Sequence, residues 1–205
     1  RTYARINAET FEALRSGSLP LPDLSSRIEG DGAGGDPGKT LFFGIQATGR
    51  RICFICDGSG SMTSYFDRLQ AELVSLVRAL PDTEFIVMYF SGKTIGDLRW
   101  RKAGPAGARW LERNTASMTS GGGSDPISAF EIALSGGQLR KRPDTIFLMT
   151  DGQISTQVVD VLSRLNGPTV SPRARVHTLG FGGSGVDLLK KIADGHGGEF
   201  RVVSP

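Results

Sequence analysis

Residues 51–62 read RICFICDGSGSM: an unbroken apolar run, a single acid at its end, then glycines alternating with serines. A strand that is apolar on both faces belongs inside a sheet covered on both sides. The glycines that follow let the chain turn tightly where it leaves that sheet. A second run, TIFLMT at 145–150, ends the same way and passes into Asp151. If the two strands are neighbours in a parallel sheet, Asp57 and Asp151 arrive at the same rim.

Working outward, apolar strands and amphipathic helices take turns from Leu41 onward. LFFGIQA (41–47) reads as a strand, and Phe66, Leu69, Leu73, Leu76 and Leu80 recur at helical spacing until Pro81. EFIVMYF (84–90) is a buried strand, and Asp125-Pro126 has the form of an N-cap and first-turn proline for a helix carrying Ile127, Phe130 and Leu134. Val158, Leu162 and Leu165 mark a helix closed by Gly167-Pro168. RVHTLGF (175–181), a helix over Leu188–Ala193 and the strand EFRVV (199–203) complete the alternation. This predicts an α/β fold, doubly wound, with a mostly parallel central sheet and helices on both faces. In such sheets a binding crevice opens at the carboxyl ends of the strands, where the winding direction reverses.

Residues 1–38 differ in kind: a short helix is expected over Ala8–Leu14, followed by SLPLPDLSS and the Gly/Asp-rich EGDGAGGDPGK. They are read as an N-terminal extension and linker ahead of one domain over 39–205. The chain begins at Arg1, not Met, and is expected to be a trimmed or processed piece.

Composition excludes several classes. Twenty-four basic residues against 21 acidic give a formal charge of only +3, which makes no case for nucleic acid or a membrane surface. No apolar stretch approaches the roughly 18 residues that span a bilayer. Cys53 and Cys56 form C-x-x-C, but a strand sends them to opposite faces, and His177 and His196 lie far downstream. Small core residues are expected there, neither a redox pair nor a zinc site.

At the predicted rim stand Asp57, Ser59, Ser61, Asp151 and the hydroxyls of TSGGGSDP (119–126), every one an oxygen donor. Such a set suits a hard divalent cation, Mg²⁺ first and Mn²⁺ or Ca²⁺ next. Neutral serines in contact with the ion and aspartates one step back would leave it electrophilic, so that an outside carboxylate can complete its shell. Gly58, Gly60 and Gly121–Gly123 let the backbone turn and approach closely.

Taken in chain order, DGSGSM after a strand, GGGSDP before a helix and MTDG after a strand resemble the metal-ion-dependent adhesion site of von Willebrand factor type A domains. The similarity covers residues 41–203, and its closing HTLGFG and LLKKIADGHGGEFRVV resemble bacterial members. The resemblance implies that Ser59 and Ser61 ligate the metal directly, that Asp57 and Asp151 hold it largely through water, and that Ser124 joins directly or through water. Gly58, Gly60, Gly123, Asp125 and Gly152 then form the loops around the bound ligand. Ser124 stands where the family usually has threonine; without that methyl the site is expected to be looser or more water-filled. The family further implies a non-enzymatic module gripping a protein partner through that partner's Asp or Glu. It also implies two states, in which the loop around Ser124 and the helix near the carboxyl end shift. An envelope or extracytoplasmic location is preferred over a cytoplasmic one.

Plainer readings stand beside each residue. Asp57, Ser59 and Ser61 each have the chemistry of helix caps, Asp151 that of a turn, and Ser124 that of a cap beside Asp125. Their joint occurrence in order favours the site. Ala33-x₄-Gly38-Lys39-Thr40 and Gly30-x-Gly32-x-x-Gly35 lack the strand–loop–helix context of phosphate loops. Gly180-x-Gly182-x-x-Gly185 has that context but no acid after EFRVV for a ribose. RWRKAGPAGARWLER (99–113) is read as packed rings on a solvated face, His177 as a core histidine and His196 as a turn residue. Two rival functions remain: a Mg²⁺-dependent phosphatase-like hydrolase with Asp57 as nucleophile, weakened because Ser59 stands where a second carboxylate is wanted, and a subunit of an ATPase-driven assembly.

Overall fold

The computed structural model describes residues 40–80, 82–91, 93–115, 125–152 and 154–204. The expected extension over 1–38, its helix over Ala8–Leu14, and both Gly123 and Ser124 lie outside the described residues.

The described chain opens with a two-stranded hairpin, β1 (Leu41–Phe42) and β2 (Ile45–Gln46), separate from the main sheet. This corrects the expectation of a single strand over LFFGIQA. Phe43 and Gly44 both take positive φ, 46° and 77°, the backbone of a tight two-residue hairpin turn. A phenylalanine there is unfavourable by itself. Its ring is held edge-on by Phe42 and Phe181, centroids 4.9 and 5.7 Å away, with the Arg68 guanidinium 5.7 Å above it.

The main elements follow: β3 (Arg51–Asp57), a 3₁₀ turn (Gly60–Tyr65), α1 (Phe66–Ala79), β4 (Glu84–Ser91), β5 (Lys93–Ile95), β6 (Arg101–Lys102) and α2 (Pro105–Thr115). After these come α3 (Ile127–Leu134), β7 (Thr145–Thr150), α4 (Gln157–Asn166), β8 (Arg175–Phe181), α5 (Val186–Gly195) and β9 (Phe200–Val203). The seven-stranded sheet runs β5-β4-β3-β7-β8-β9, with β6 also on β4. From β4 to β9 all neighbours are parallel; β5 and β6 are antiparallel to β4. The expected doubly wound α/β architecture is therefore present.

Strand order locates the reversal of winding. The chain steps from β3 to β4 in one direction, crosses back over β3 to β7, and continues outward to β8 and β9. β3 and β7 flank the switch point, in register from Ile52↔Thr145 to Cys56↔Met149. Their ends therefore finish side by side.

Alternation along β3 divides the core. Ile52, Phe54 and Cys56 face the layer containing α1, α2 and the hairpin, while Cys53 and Ile55 face α3, α4 and α5. All five are fully buried, and the two thiols are free, on opposite faces, with burial pushing both pKa values up. Burying each large side chain contributes about 1.5–3 kcal/mol, and these two packed layers anchor the strand that ends at the rim.

Several local features have identifiable causes. α1 ends at Leu80, which turns extended (ψ 120°) ahead of Pro81 while its N–H still reaches the Leu76 carbonyl at 3.0 Å. The Trp110 ring lies under the Arg101 guanidinium at 3.7 Å, and Trp100 Nε1 donates to the Leu139 carbonyl at 3.2 Å, so both rings are packed. The buried Asn166 side chain donates to the Ala174 carbonyl at 2.7 Å and accepts the Ala174 N–H at 2.8 Å, pinning the link into β8. His177 is buried in β8, stacked on Phe147 at 4.8 Å, its Nδ1 accepting the Glu199 N–H at 3.0 Å. His196 terminates α5, its N–H donating to the Ala193 carbonyl at 3.1 Å.

Candidate metal centre

Asp57 is the last residue of β3 and is fully buried. Its Oδ1 accepts the Ser59 N–H at 2.9 Å and its Oδ2 accepts the Thr150 hydroxyl at 2.7 Å. Each oxygen keeps a lone pair beyond these bonds. The next residue is fixed too, since the Gly58 N–H donates to the Phe90 carbonyl at 2.8 Å and so carries the β3–β4 ladder one step past the strand end.

Ser59 precedes the 3₁₀ turn with extended backbone (φ −67°, ψ 159°), the conformation of an N-cap, yet its hydroxyl makes no capping bond. Ser59 Oγ lies instead 2.9 Å from Ser61 Oγ. The capping alternative therefore fails for Ser59. The two hydroxyls form a pair, one end buried at Ser59 and the other exposed at Ser61. Space around Gly60, between them, is open.

Asp151, buried, directly follows β7. Its backbone is positioned by Thr150, whose hydroxyl both donates to Asp57 and accepts the Gly152 N–H at 3.1 Å. Gly152 has φ +90°, and a Cβ there would run into the Ser184 carbonyl; reciprocally, a Cβ on Gly185 would meet the Gly152 carbonyl. The turn after β7 is thus pressed against the turn that leads into α5. Asp125 is exposed and its Oδ1 accepts the Ile127 N–H at 3.0 Å, the expected cap of α3. Gly123 and Ser124 precede it, outside the described residues.

Of the residues singled out in the sequence, Ser59 bonds Asp57 through its N–H and Ser61 through its hydroxyl, while Asp151 directly follows Thr150, whose hydroxyl bonds Asp57. Thr150 itself was missed. A buried hydroxyl one position before Asp-Gly, at the end of an otherwise apolar strand, is the signal that could have found it. Among the described residues no three His, Cys, Asp or Glu side chains converge to hold an ion. Asp57, Ser59, Ser61 and Asp151 offer oxygen atoms alone, two of the four residues bringing hydroxyls. That all-oxygen composition fits a hard divalent cation.

Residues 50–202 match the family profile of the von Willebrand factor type A domain. Among solved structures, a von Willebrand factor type A protein from Catenulispora acidiphila is 18% identical with a TM-score of 0.60, over 77% of this chain and 39% of its own. An aerotolerance-related membrane protein from Bacteroides fragilis is 16% identical with a TM-score of 0.58, over 76% of this chain and 92% of its own. Proximal thread matrix protein 1 from the mussel byssus, in a structure with a zinc-occupied MIDAS motif, is 18% identical with a TM-score of 0.55, over 74% of this chain and 41% of its own. The chain spans less than half of the first and third of these, and at such identities the likeness shows the fold alone. No curated protein matches the chain.

Proposed function

This chain belongs to the von Willebrand factor type A domain family, and we propose that it is a non-enzymatic protein-binding module whose rim holds a divalent cation, Mg²⁺ in the first instance. The ion would serve as the Lewis acid to which an Asp or Glu of the partner protein adds the last ligand. The carrying observation is the Ser59–Ser61 hydroxyl pair, 2.9 Å apart, with Ser59 making no capping bond, next to an Asp57 carboxylate already oriented by Ser59 N–H and Thr150.

In this reading Ser59 and Ser61 are direct ligands, Asp57 and Asp151 act largely through water, and Ser124 completes the protein's share. Gly58, Gly60, Gly123, Asp125 and Gly152 shape the loops that meet the partner. A single carboxylate supplies orientation, and affinity comes from the surface around it, because dehydration offsets most of one metal–carboxylate contact in water. Zinc in the MIDAS of the mussel protein supports a cation at this place, with Mn²⁺ or Ca²⁺ as alternatives to Mg²⁺. The membrane-protein relative from Bacteroides supports an envelope setting, although no helix among the described residues is long and apolar enough to cross a membrane. The hydrolase alternative is disfavoured: Asp57 is fully buried, and Ser59 stands where a second carboxylate is wanted as acid and base.

The test is a Mg²⁺ titration of thermal unfolding for the parent, Asp57→Ala and Ser61→Ala. The parent Tm should rise with Mg²⁺ and saturate. Ser61 is exposed, so Ser61→Ala keeps the fold and should require more Mg²⁺ for the same shift. A parent indifferent to Mg²⁺, Mn²⁺ and Ca²⁺ alike contradicts the proposal, and Mg²⁺-dependent turnover of a generic phosphoester would favour the hydrolase.

A further inference from the structure

The main sheet ends on one side in β9, and among the described residues no strand covers its outer edge. Register settles which backbone groups point outward. Thr178 is level with Phe200, and the Thr178 N–H bonds the Glu199 carbonyl at 3.0 Å. Residues 199 and 201 therefore turn their peptide groups toward β8, while Phe200 and Val202 turn theirs away from the sheet. A groove of about 610 Å³ follows this edge between β9 and α5, lined by Lys190, Asp194, Glu199, Phe200, Arg201 and Val202. Val202 is 49% exposed, one of two large apolar side chains so exposed among the described residues.

We propose that a second copy of this chain pairs antiparallel along β9, about a two-fold axis at Phe200, and continues the sheet through a homodimer. The distribution of charge selects both occupant and register. With the axis at Phe200, the two Phe200 residues exchange backbone hydrogen bonds, and Glu199 of each copy lies opposite Arg201 of the other. Those are non-hydrogen-bonded positions, where opposed side chains come closest. An axis one residue on, at Arg201, sets two arginines against each other. An axis at Val202 leaves Arg201 opposite Val203. Only the first register pairs opposite charges, and it does so twice. The same axis sets the two α5 helices antiparallel, so that Lys190 and Asp194 of one meet the same two charges in reversed order. The apolar Phe200 is then covered by its own counterpart, and Val202 lies opposite Gly198 of the other copy.

Because the paired strands are antiparallel, the rims carrying Asp57 point toward opposite ends of the dimer. Such a dimer bridges two partners and does not grip one surface twice. The interface itself involves no residue of the metal centre and stands or falls separately from it.

Sedimentation of the full chain over a concentration series tests the pairing. A monomer–dimer equilibrium is expected for the parent. Glu199→Arg sets like charges opposite each other at both positions and should raise the dimer Kd about tenfold or more; Arg201→Glu should do the same. The Arg201 guanidinium also lies over Gly44, so circular dichroism accompanies that variant, while Glu199→Arg probes the pair without touching this contact. The double variant Glu199→Arg/Arg201→Glu restores opposite charges and should recover the dimer. A chain that stays monomeric at every concentration overturns the proposal, including when a foreign peptide strand proves to occupy β9. A dimer indifferent to both single reversals, or one not recovered by the double variant, overturns it equally.

Discussion

The Thr150 hydroxyl joins the ends of the two central strands, donating to Asp57 Oδ2 at 2.7 Å. Both residues are fully buried, so losing the bond leaves a buried carboxylate oxygen short of its donor. Thr150→Val should destabilise the protein by about 2 kcal/mol, since a buried acceptor loses its donor without compensation. Thr150→Ser should retain most of that stability. Urea denaturation checks both, and a valine variant as stable as the parent would show that the bridge does not order the rim.

Gly152 is the second fixed point. Its φ of +90° and its contact with the Ser184 carbonyl leave no room for a side chain. Gly152→Ala should cost about 1–3 kcal/mol through backbone strain and displacement of the facing turn. Amide exchange should localise the loosening to the turns after β7 and β8, with the β3–β4 ladder unchanged.

Stability should also depend on pH through His177. Burial and the nearby Arg175 cation lower its pKa to about 4, so the folded protein resists a proton that the unfolded chain accepts at its ordinary value of 6.5. Stability is therefore lost as pH falls from about 6.5 to about 4, by up to about 3 kcal/mol, and no further through this group below that. Asp97, held near 2 by Arg99 and Arg101, titrates below this window. His196, whose pKa burial and the nearby Arg173 also lower, adds a slope of its own. His177→Gln should therefore make the profile shallower, not flat, between pH 7 and 4 in denaturant melts. A parent profile that is already flat there contradicts the assignment.

Arg142 ties two helices together. Its guanidinium donates to the carbonyl of Leu134, at the end of α3, and to that of Leu165, near the end of α4, the latter at 3.0 Å. Cationic groups are favoured at such helix ends. Arg142→Met should destabilise by about 2 kcal/mol, and Arg142→Lys should recover little, because one ammonium lacks the fork that reaches both carbonyls. Thermal melts of the two variants distinguish a shared clamp from simple charge.

What could be read from sequence was what repeats or what sits at an apolar run's end. The runs ending at Asp57 and Asp151 were legible because a buried parallel strand has to be apolar throughout, and β3 and β7 are indeed neighbours. The hairpin at Phe43-Gly44 was not, because a phenylalanine at positive φ opposes local preference and is held there by Phe181 and Arg68, which are distant in sequence. Thr150 was hidden for a similar reason: a threonine inside an apolar strand looks like a β-branched filler until its partner strand is known. Asn166 likewise resembles an ordinary helix-terminal residue, and only the fold brings Ala174 against it.

Anomalous diffraction from crystals soaked in Mn²⁺ would decide whether the rim is a cation site. The expected result is a single strong peak within bonding distance of Ser59 Oγ and Ser61 Oγ, with Asp57 and Asp151 beside it, and its loss in Ser59→Ala/Ser61→Ala crystals. No peak at that place under saturating Mn²⁺, or one that survives removal of both hydroxyls, would contradict it.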